Sequence, residues 1–363
     1  MTLPDDALDR FLAKQVARGR MSAASWWVGR GGRLVSAGAV GATSSGDDAH
    51  GVHQTTPFDL ASLTKALVTA PLLVLLEQEG IVDLQAPLSV LLDELQGTAL
   101  GSRTLVSLAT HTAGLAAWAP LYLRASGIDG TIAAIASMPL AAQPGDTLYS
   151  DLGYIVLGAA LERAARSDLA SLFDERIAGP LALERTGFAV GGRDLADAAL
   201  TETGNDFERT LAGGEGAGYT WRERIPAGQV HDGNAHALCG VAGHAGLFGT
   251  AEEVARVAVE LLQPRVLPLG ERACSLLTRV VPPSDGRTVG LVVAARAGAA
   301  RGVLPDEAPG HTGFTGTSLW LDPRDGGCFV LLTNRVHPRV PRDEFGPLRR
   351  AFHRLAACRA AGQ

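Results

Sequence analysis

At 363 residues, 46% of them hydrophobic and 19% charged, the chain can bury most of its unfolded surface and is too apolar to remain disordered. Its 32 basic and 38 acidic residues leave a net charge of −6, which removes the broad positive field that nucleic acid or an anionic membrane requires. The longest charge-free apolar run, 66–76, is eleven residues and is interrupted by Pro71, against about 20 for a bilayer-spanning helix, so no membrane span is expected.

In chain order, Leu8, Phe11, Leu12 and Val16 form one stripe of a helix over 5–18, with Asp5 and Asp6 at its acid-favouring end. Two apolar segments around Gly29-Arg30-Gly31-Gly32 predict a β-hairpin. Residues 62–79 read as a helix stopped by Gly80. Helical periodicity recurs near 88–95, 104–110, 130–137, 152–166 and 168–178, whereas 201–249 is glycine-rich and irregular. Helical spacing returns at 251–262 and 271–281. Strand patterns follow at TVGLVVAAR, TGTSLWLDP and CFVLLTNR, and a last helix covers 343–359. Strands at both ends with helices between them predict an antiparallel sheet built from the two termini, with helices on both faces and a helical insertion.

The N-terminus has no apolar secretory core, so a cytoplasmic location is expected if Met1 is the natural start, and a periplasmic or secreted one if a leader was trimmed. Cys239, Cys274, Cys328 and Cys358 are too widely spaced for a zinc knuckle or a small disulfide framework and read as reduced thiols. Neither cofactor nor metal is expected.

Three segments carry candidate chemistry. Ser62 opens a helix and Lys65 follows one turn later on the same face. Of the 32 basic residues only Lys14 and Lys65 are lysine, and a lysine, unlike an arginine, can give up its proton to act as a base toward a serine nucleophile. The pair also reads more simply, as a capping serine followed by a solvated lysine. Pro144-Gly145 then leads to Tyr149-Ser150-Asp151, which offers a phenol for proton transfer and a carboxylate partner for Lys65, or only a cap for the next helix. Last, Gly310-His311-Thr312-Gly313-Phe314 precedes an apolar strand, where glycines allow a substrate to approach an edge backbone.

In this order the three segments resemble the signatures of the serine β-lactamase and penicillin-binding-protein superfamily. The likeness is closest to its class C β-lactamase-related serine hydrolases, on the branch that includes esterases. The flanking stretches EQEGIVDLQAPL (77–88), LATHTAGL (108–115), IAGPLALERTGF (177–188) and VAGHAGLFGTAEEVARV (241–257) fit the same resemblance, which runs from about residue 5 to 355. It implies an α/β (α+β) fold of β-lactamase/transpeptidase type. The chain, 1–363, would be one unit, with 1–61 and 250–363 forming the sheet region and 62–249 the mostly helical one.

The resemblance also implies roles. Ser62 would be acylated, Lys65 and Tyr149 would share its proton, and the backbone N–H groups of Ser62 and Phe314 would form an oxyanion hole. Asp151, His311, Thr312 and Gly313 would contact substrate. Two departures stand out. Asp151 replaces the usual asparagine, which would hold Lys65 charged and shift the base role toward Tyr149. His311 replaces a lysine, which removes a fixed cation for substrate carboxylates at neutral pH.

Simple esters or amides are therefore expected ahead of β-lactams, as small-molecule substrates of a hydrolase working through an acyl-serine. An acyltransferase on the same machinery and a penicillin-binding protein without turnover are the alternatives. A metal reading of His231, Asp232, His236 and His244 lacks helical ligand spacing, and these residues are expected to line the cleft instead. His111 reads as a hydrogen-bonded structural histidine.

Overall fold

Nine strands occur among the described residues: β1 (Ala23–Arg30), β2 (Arg33–Gly41), β3 (Phe58–Asp59), β4 (Gly187–Phe188), β5 (Leu247–Gly249), β6 (Val292–Val293), β7 (Pro309–Thr312), β8 (Ser318–Asp322) and β9 (Gly327–Thr333). The structure, a computed structural model, describes residues 7–46, 49–341 and 344–362. Its main sheet runs β2-β1-β9-β8-β7-β6, antiparallel throughout, so the two ends of the chain meet where β1 pairs with β9. A small sheet, β3-β5-β4, lies beside the helical region.

Side chains alternate across the main sheet as the pleat requires. On β1, Ala24, Trp26 and Val28 face one core together with Phe329 and Leu331 of β9, and that face is closed by helices Ala7–Ala17 and Gly346–Ala360. Ala23 and Trp27, with Cys328, Val330 and Leu332, face the larger core that takes in helix Ala251–Leu262 and the helical region. Helices thus cover both faces.

The segment that leaves Ser62 is buried all round, from Leu63 through Leu76, with Lys65 as its one charged side chain. A helix with no polar face belongs inside a core. Its first turns, Lys65–Thr69, are π-helical, and the Ala70 N–H reaches back to the Lys65 carbonyl. The widened turn sits just ahead of Pro71, which has no N–H to offer a regular α-helical ladder.

Two expected elements differ. Over 88–95 the backbone forms two short 3-10 turns, Leu88–Val90 and Asp93–Leu95, although Leu88, Leu92 and Leu95 are all buried. Pairing of Pro87 with Thr104, and of the Leu88 N–H with the Arg103 carbonyl, ties this backbone to a neighbouring segment instead of a helix. The strand expected around TVGLVVAAR shrinks to β6, because Gly290 adopts a φ of +88° that no strand can continue. The last helix starts at Gly346, Asp5 and Asp6 lie outside the described residues, and all four cysteines are unpaired. Among the described residues no helix is long and apolar enough to cross a membrane.

Candidate active site

Ser62 is presented by a turn locked from several directions. Ala61, just before it, has a φ of +47°, a strained value for a residue with a Cβ. One Asp59 carboxylate oxygen accepts the Ala61 N–H at 2.8 Å, and the other accepts the His231 N–H at 2.8 Å. The Thr64 hydroxyl donates to the Ala61 carbonyl at 2.7 Å. From the strand region, the Thr315 hydroxyl donates to the Asp59 carbonyl at 2.8 Å and the Thr317 hydroxyl to the Leu60 carbonyl at 3.1 Å. The sequence reading missed this frame. Only the aspartate two residues before Ala61, a spacing typical of Asx turns, hinted at it.

The Ser62 Oγ accepts two hydrogen bonds, from Lys65 Nζ at 2.9 Å and from the Tyr149 hydroxyl at 3.0 Å. Lys65 is wholly buried; it also donates to the His244 carbonyl at 2.9 Å and lies 2.7 Å from Asp151 Oδ1. That last contact is an ion pair whose angles fall outside hydrogen-bond geometry. Burial alone pushes the Lys65 amine down, but the charge of Asp151, and that of Tyr149 whenever the phenol ionises, outweigh it and hold the amine above its ordinary value. Burial raises the Tyr149 phenol, with Lys65 opposing and Asp151 adding to the rise. The resting site is an ammonium and a neutral phenol, both pointing at the same hydroxyl oxygen.

Asp151 begins helix Asp151–Ala165, where Ser150 caps by accepting the Gly153 N–H and also donates to the Ala116 carbonyl at 2.6 Å. The same segment thus caps its helix through Ser150 and places the Asp151 carboxylate beside Lys65. His111 accepts the Ser150 N–H through Nδ1 at 3.1 Å and packs its ring 4.5 Å from that of Tyr149. Burial, with help from Arg287 and Lys65, drives its pKa well down, so it is a neutral spacer behind the phenol.

On β7, burial and the nearby Lys65 and Arg287 charges likewise keep His311 neutral, with Nδ1 bonded to the Thr312 carbonyl at 2.9 Å. Gly313 follows, and a Cβ there would fall 2.1 Å from Thr317 Oγ1 and 2.7 Å from the Leu60 carbonyl oxygen. Only glycine lets this strand end lie so close to the Ser62 turn. The N–H groups of Ser62 and Phe314 make no hydrogen bond within the described residues, which leaves two donors for an oxyanion.

The cleft opens on both sides of Ser62. One side, about 560 Å³, is lined by Tyr149, His311, Thr312, Gly313 and four arginines, Arg287, Arg296, Arg335 and Arg349. Arg349 is spent on the Gly313 and Gly316 carbonyls, and Arg296 pairs with Asp285. Among the described residues Arg287 carries no ion pair, and its guanidinium lies 5.4 Å from the centre of the Tyr149 ring. His311 itself supplies no cation here, but Arg287 keeps positive charge on this side of the cleft. The other side, about 210 Å³, is lined by His231 and His244 among others, but not by His236. These two histidines pair with Glu202 and Asp232, and no cluster of three metal-ligating side chains occurs among the described residues.

A protein of Salmonella typhimurium, provisionally named a D-alanyl-D-alanine carboxypeptidase, is 29% identical over 331 residues, covering 82% of this chain and 74% of its own. Two solved structures share the fold. The hydrolase EstCE1, described as having promiscuous acyltransferase activity, superposes with a TM-score of 0.71 at 21% identity over 96% of this chain and 97% of its own. A β-lactamase from Sulfitobacter sp. EE-36 gives 0.73 at 21% identity over 98% and 97%. The Beta-lactamase family profile matches residues 8–352, nearly the whole length over which the three signatures and their frame are laid out, and the chain belongs to that family.

Proposed function

We propose that this protein is a hydrolase that acylates Ser62 with esters or amides whose leaving portion is anionic. The observation that carries the reading is the double donation to Ser62 Oγ by Lys65 and Tyr149. Attack requires one of the two to be unprotonated. Asp151 holds Lys65 as ammonium, so the reactive minority form is a Tyr149 phenolate beside the Lys65 and Arg287 cations. The phenolate takes the Ser62 proton as Oγ bonds to the carbonyl carbon. The developing oxyanion is met by the Ser62 and Phe314 N–H groups. Tyr149 then hands the proton to the departing oxygen or nitrogen, and the acyl-serine forms. Water, deprotonated by the same phenolate, returns Ser62 and releases the acid.

Tyr149 lines the arginine side of the cleft and not the other. A general acid must reach the atom it protonates, so the leaving group departs among Arg287 and its neighbours. An anionic leaving portion fits there, and a carboxypeptidase, the activity in the Salmonella relative's name, releases an amino acid with a free carboxylate.

The test is turnover of a chromogenic short-chain ester together with mass spectrometry of protein trapped by an aryl phosphonate. Steady-state turnover with the adduct on Ser62 is expected. A single burst without a steady state, or an adduct elsewhere, overturns the reading.

A further inference from the structure

The smaller side of the cleft has walls of a different character. Besides Ser62 it is lined by Trp118, Phe207 and Phe314 and by the carboxylates Asp59, Asp151, Glu208 and Asp232. Three of these acids are committed. Asp59 takes two backbone N–H groups, Asp151 pairs with Lys65, and Asp232 accepts from His244 and the Ala235 N–H, each at 2.8 Å. Glu208 is different. It is only 4% exposed, one carboxylate oxygen accepts the Gly233 N–H at 2.8 Å, and the other has no hydrogen-bond partner. Tyr122 lies alongside, but its hydroxyl is equally unpartnered, so the two do not form a bond of ordinary geometry. No cation pairs with Glu208 among the described residues; the nearby Arg222 is spent on Asn205 and on the carbonyls of Val230 and His231.

A buried carboxylate oxygen without a partner is costly unless something fills the place. The rings of Phe207 and Phe314 lie 5.0 Å apart beside it, and Phe314 is 37% exposed. Aromatic faces next to an unpaired carboxylate suit a positively charged group.

We propose that this cavity binds a protonated amine on the acyl portion of the substrate, with Glu208 as its counter-ion and Phe207 and Phe314 as its aromatic wall. The assignment of this side to the acyl group rests on the hydrolase reading, in which the leaving group departs past Tyr149. The substrate class then narrows to aminoacyl esters or amides: a cationic acyl part toward Glu208, an anionic leaving part toward Arg287.

The experiment compares two irreversible reagents of matched shape, diphenyl 2-aminoethylphosphonate and diphenyl propylphosphonate, on the full chain at pH 7. In each, Ser62 Oγ bonds to phosphorus and a phenol leaves with the serine proton. The aminoethyl reagent is expected to label Ser62 at least about tenfold faster, and Glu208→Gln to reduce that ratio by about tenfold. Equal rates in the unaltered protein, or an unchanged ratio in a folded Glu208→Gln protein, overturn the amine pocket and leave the hydrolase standing. Failure of both reagents to label Ser62 overturns the hydrolase reading and this inference with it. The unaltered protein alone decides the matter if the variant does not fold.

Discussion

Lys65 Nζ lies 2.7 Å from a carboxylate oxygen of Asp151, so the amine that sits beside the Ser62 hydroxyl is held in its protonated form. Catalysis must therefore work around a stable ammonium. The consequences of that pairing, and of the cleft around it, can be measured.

Ser62→Ala should reduce ester turnover to the background of the folded protein, a loss of at least about 10³-fold, because no second nucleophile shares the two donors. Steady-state assay with a chromogenic ester, alongside circular dichroism, checks it. Retained turnover would place the chemistry elsewhere.

Lys65→Arg keeps a positive charge yet should cost about 10²- to 10⁴-fold in kcat. Lys65 is wholly buried and touches Ser62, Asp151 and the His244 carbonyl, and a planar guanidinium cannot reproduce those contacts from one nitrogen. A rate close to that of the unaltered protein would mean that the buried ammonium contributes nothing to proton transfer between Ser62 and Tyr149.

Asp151→Asn should move the rising limb of the pH–rate profile. The Asp151 carboxylate favours the charged form of Lys65 and disfavours the charged form of Tyr149, so it raises both groups. Removing it lowers both, and the unprotonated base becomes available at lower pH. The limb of kcat/KM should shift toward acid by about one pH unit or more. A shift toward alkali would contradict the assignment of the base.

Arg287→Gln should lower the preference for leaving groups that carry a carboxylate. Two phenyl esters with the same acyl group, one with and one without a carboxylate on the ring, give the ratio. The loss of one charge-assisted contact should cut that ratio by about tenfold. Because Arg287 also lies over the Tyr149 ring, the ratio rather than either rate is the informative quantity.

Gly313→Ala should impair activity more than stability. The new Cβ would meet Thr317 Oγ1 at 2.1 Å and the Leu60 carbonyl oxygen at 2.7 Å, so β7 and the Ser62 turn must part. A displacement of about 1 Å at a reacting centre costs on the order of 10²-fold. Measuring kcat/KM beside the thermal midpoint separates the two effects. A large drop in the midpoint with unchanged kcat/KM would contradict the positional role.

Much of this molecule is legible in its sequence. Apolar segments mark the strands that pair across the termini, and the periodicity over 88–95 falls on Leu88, Leu92 and Leu95, which are buried although the backbone there forms no α-helix. That spacing of leucines encodes which side chains are buried. The backbone path that buries them was set by pairing with a segment fifteen residues downstream, Leu88 to Arg103, which periodicity does not encode. Likewise Gly290 stood inside an apolar run, and only the folded backbone shows the positive φ that ends the strand there.

The order Ser62, Lys65, Tyr149, Asp151, His311 is a property of the sequence, since a serine one turn before a rare lysine shares a helix face whatever surrounds it. What only tertiary structure decided is the character of the space around Ser62. Arg287, Arg296, Arg335 and Arg349 gather from scattered positions on one side, while Asp59, Glu208 and Asp232 gather on the other. Electrostatic interaction depends on separation in space and on burial, and neither is fixed by distance along the chain.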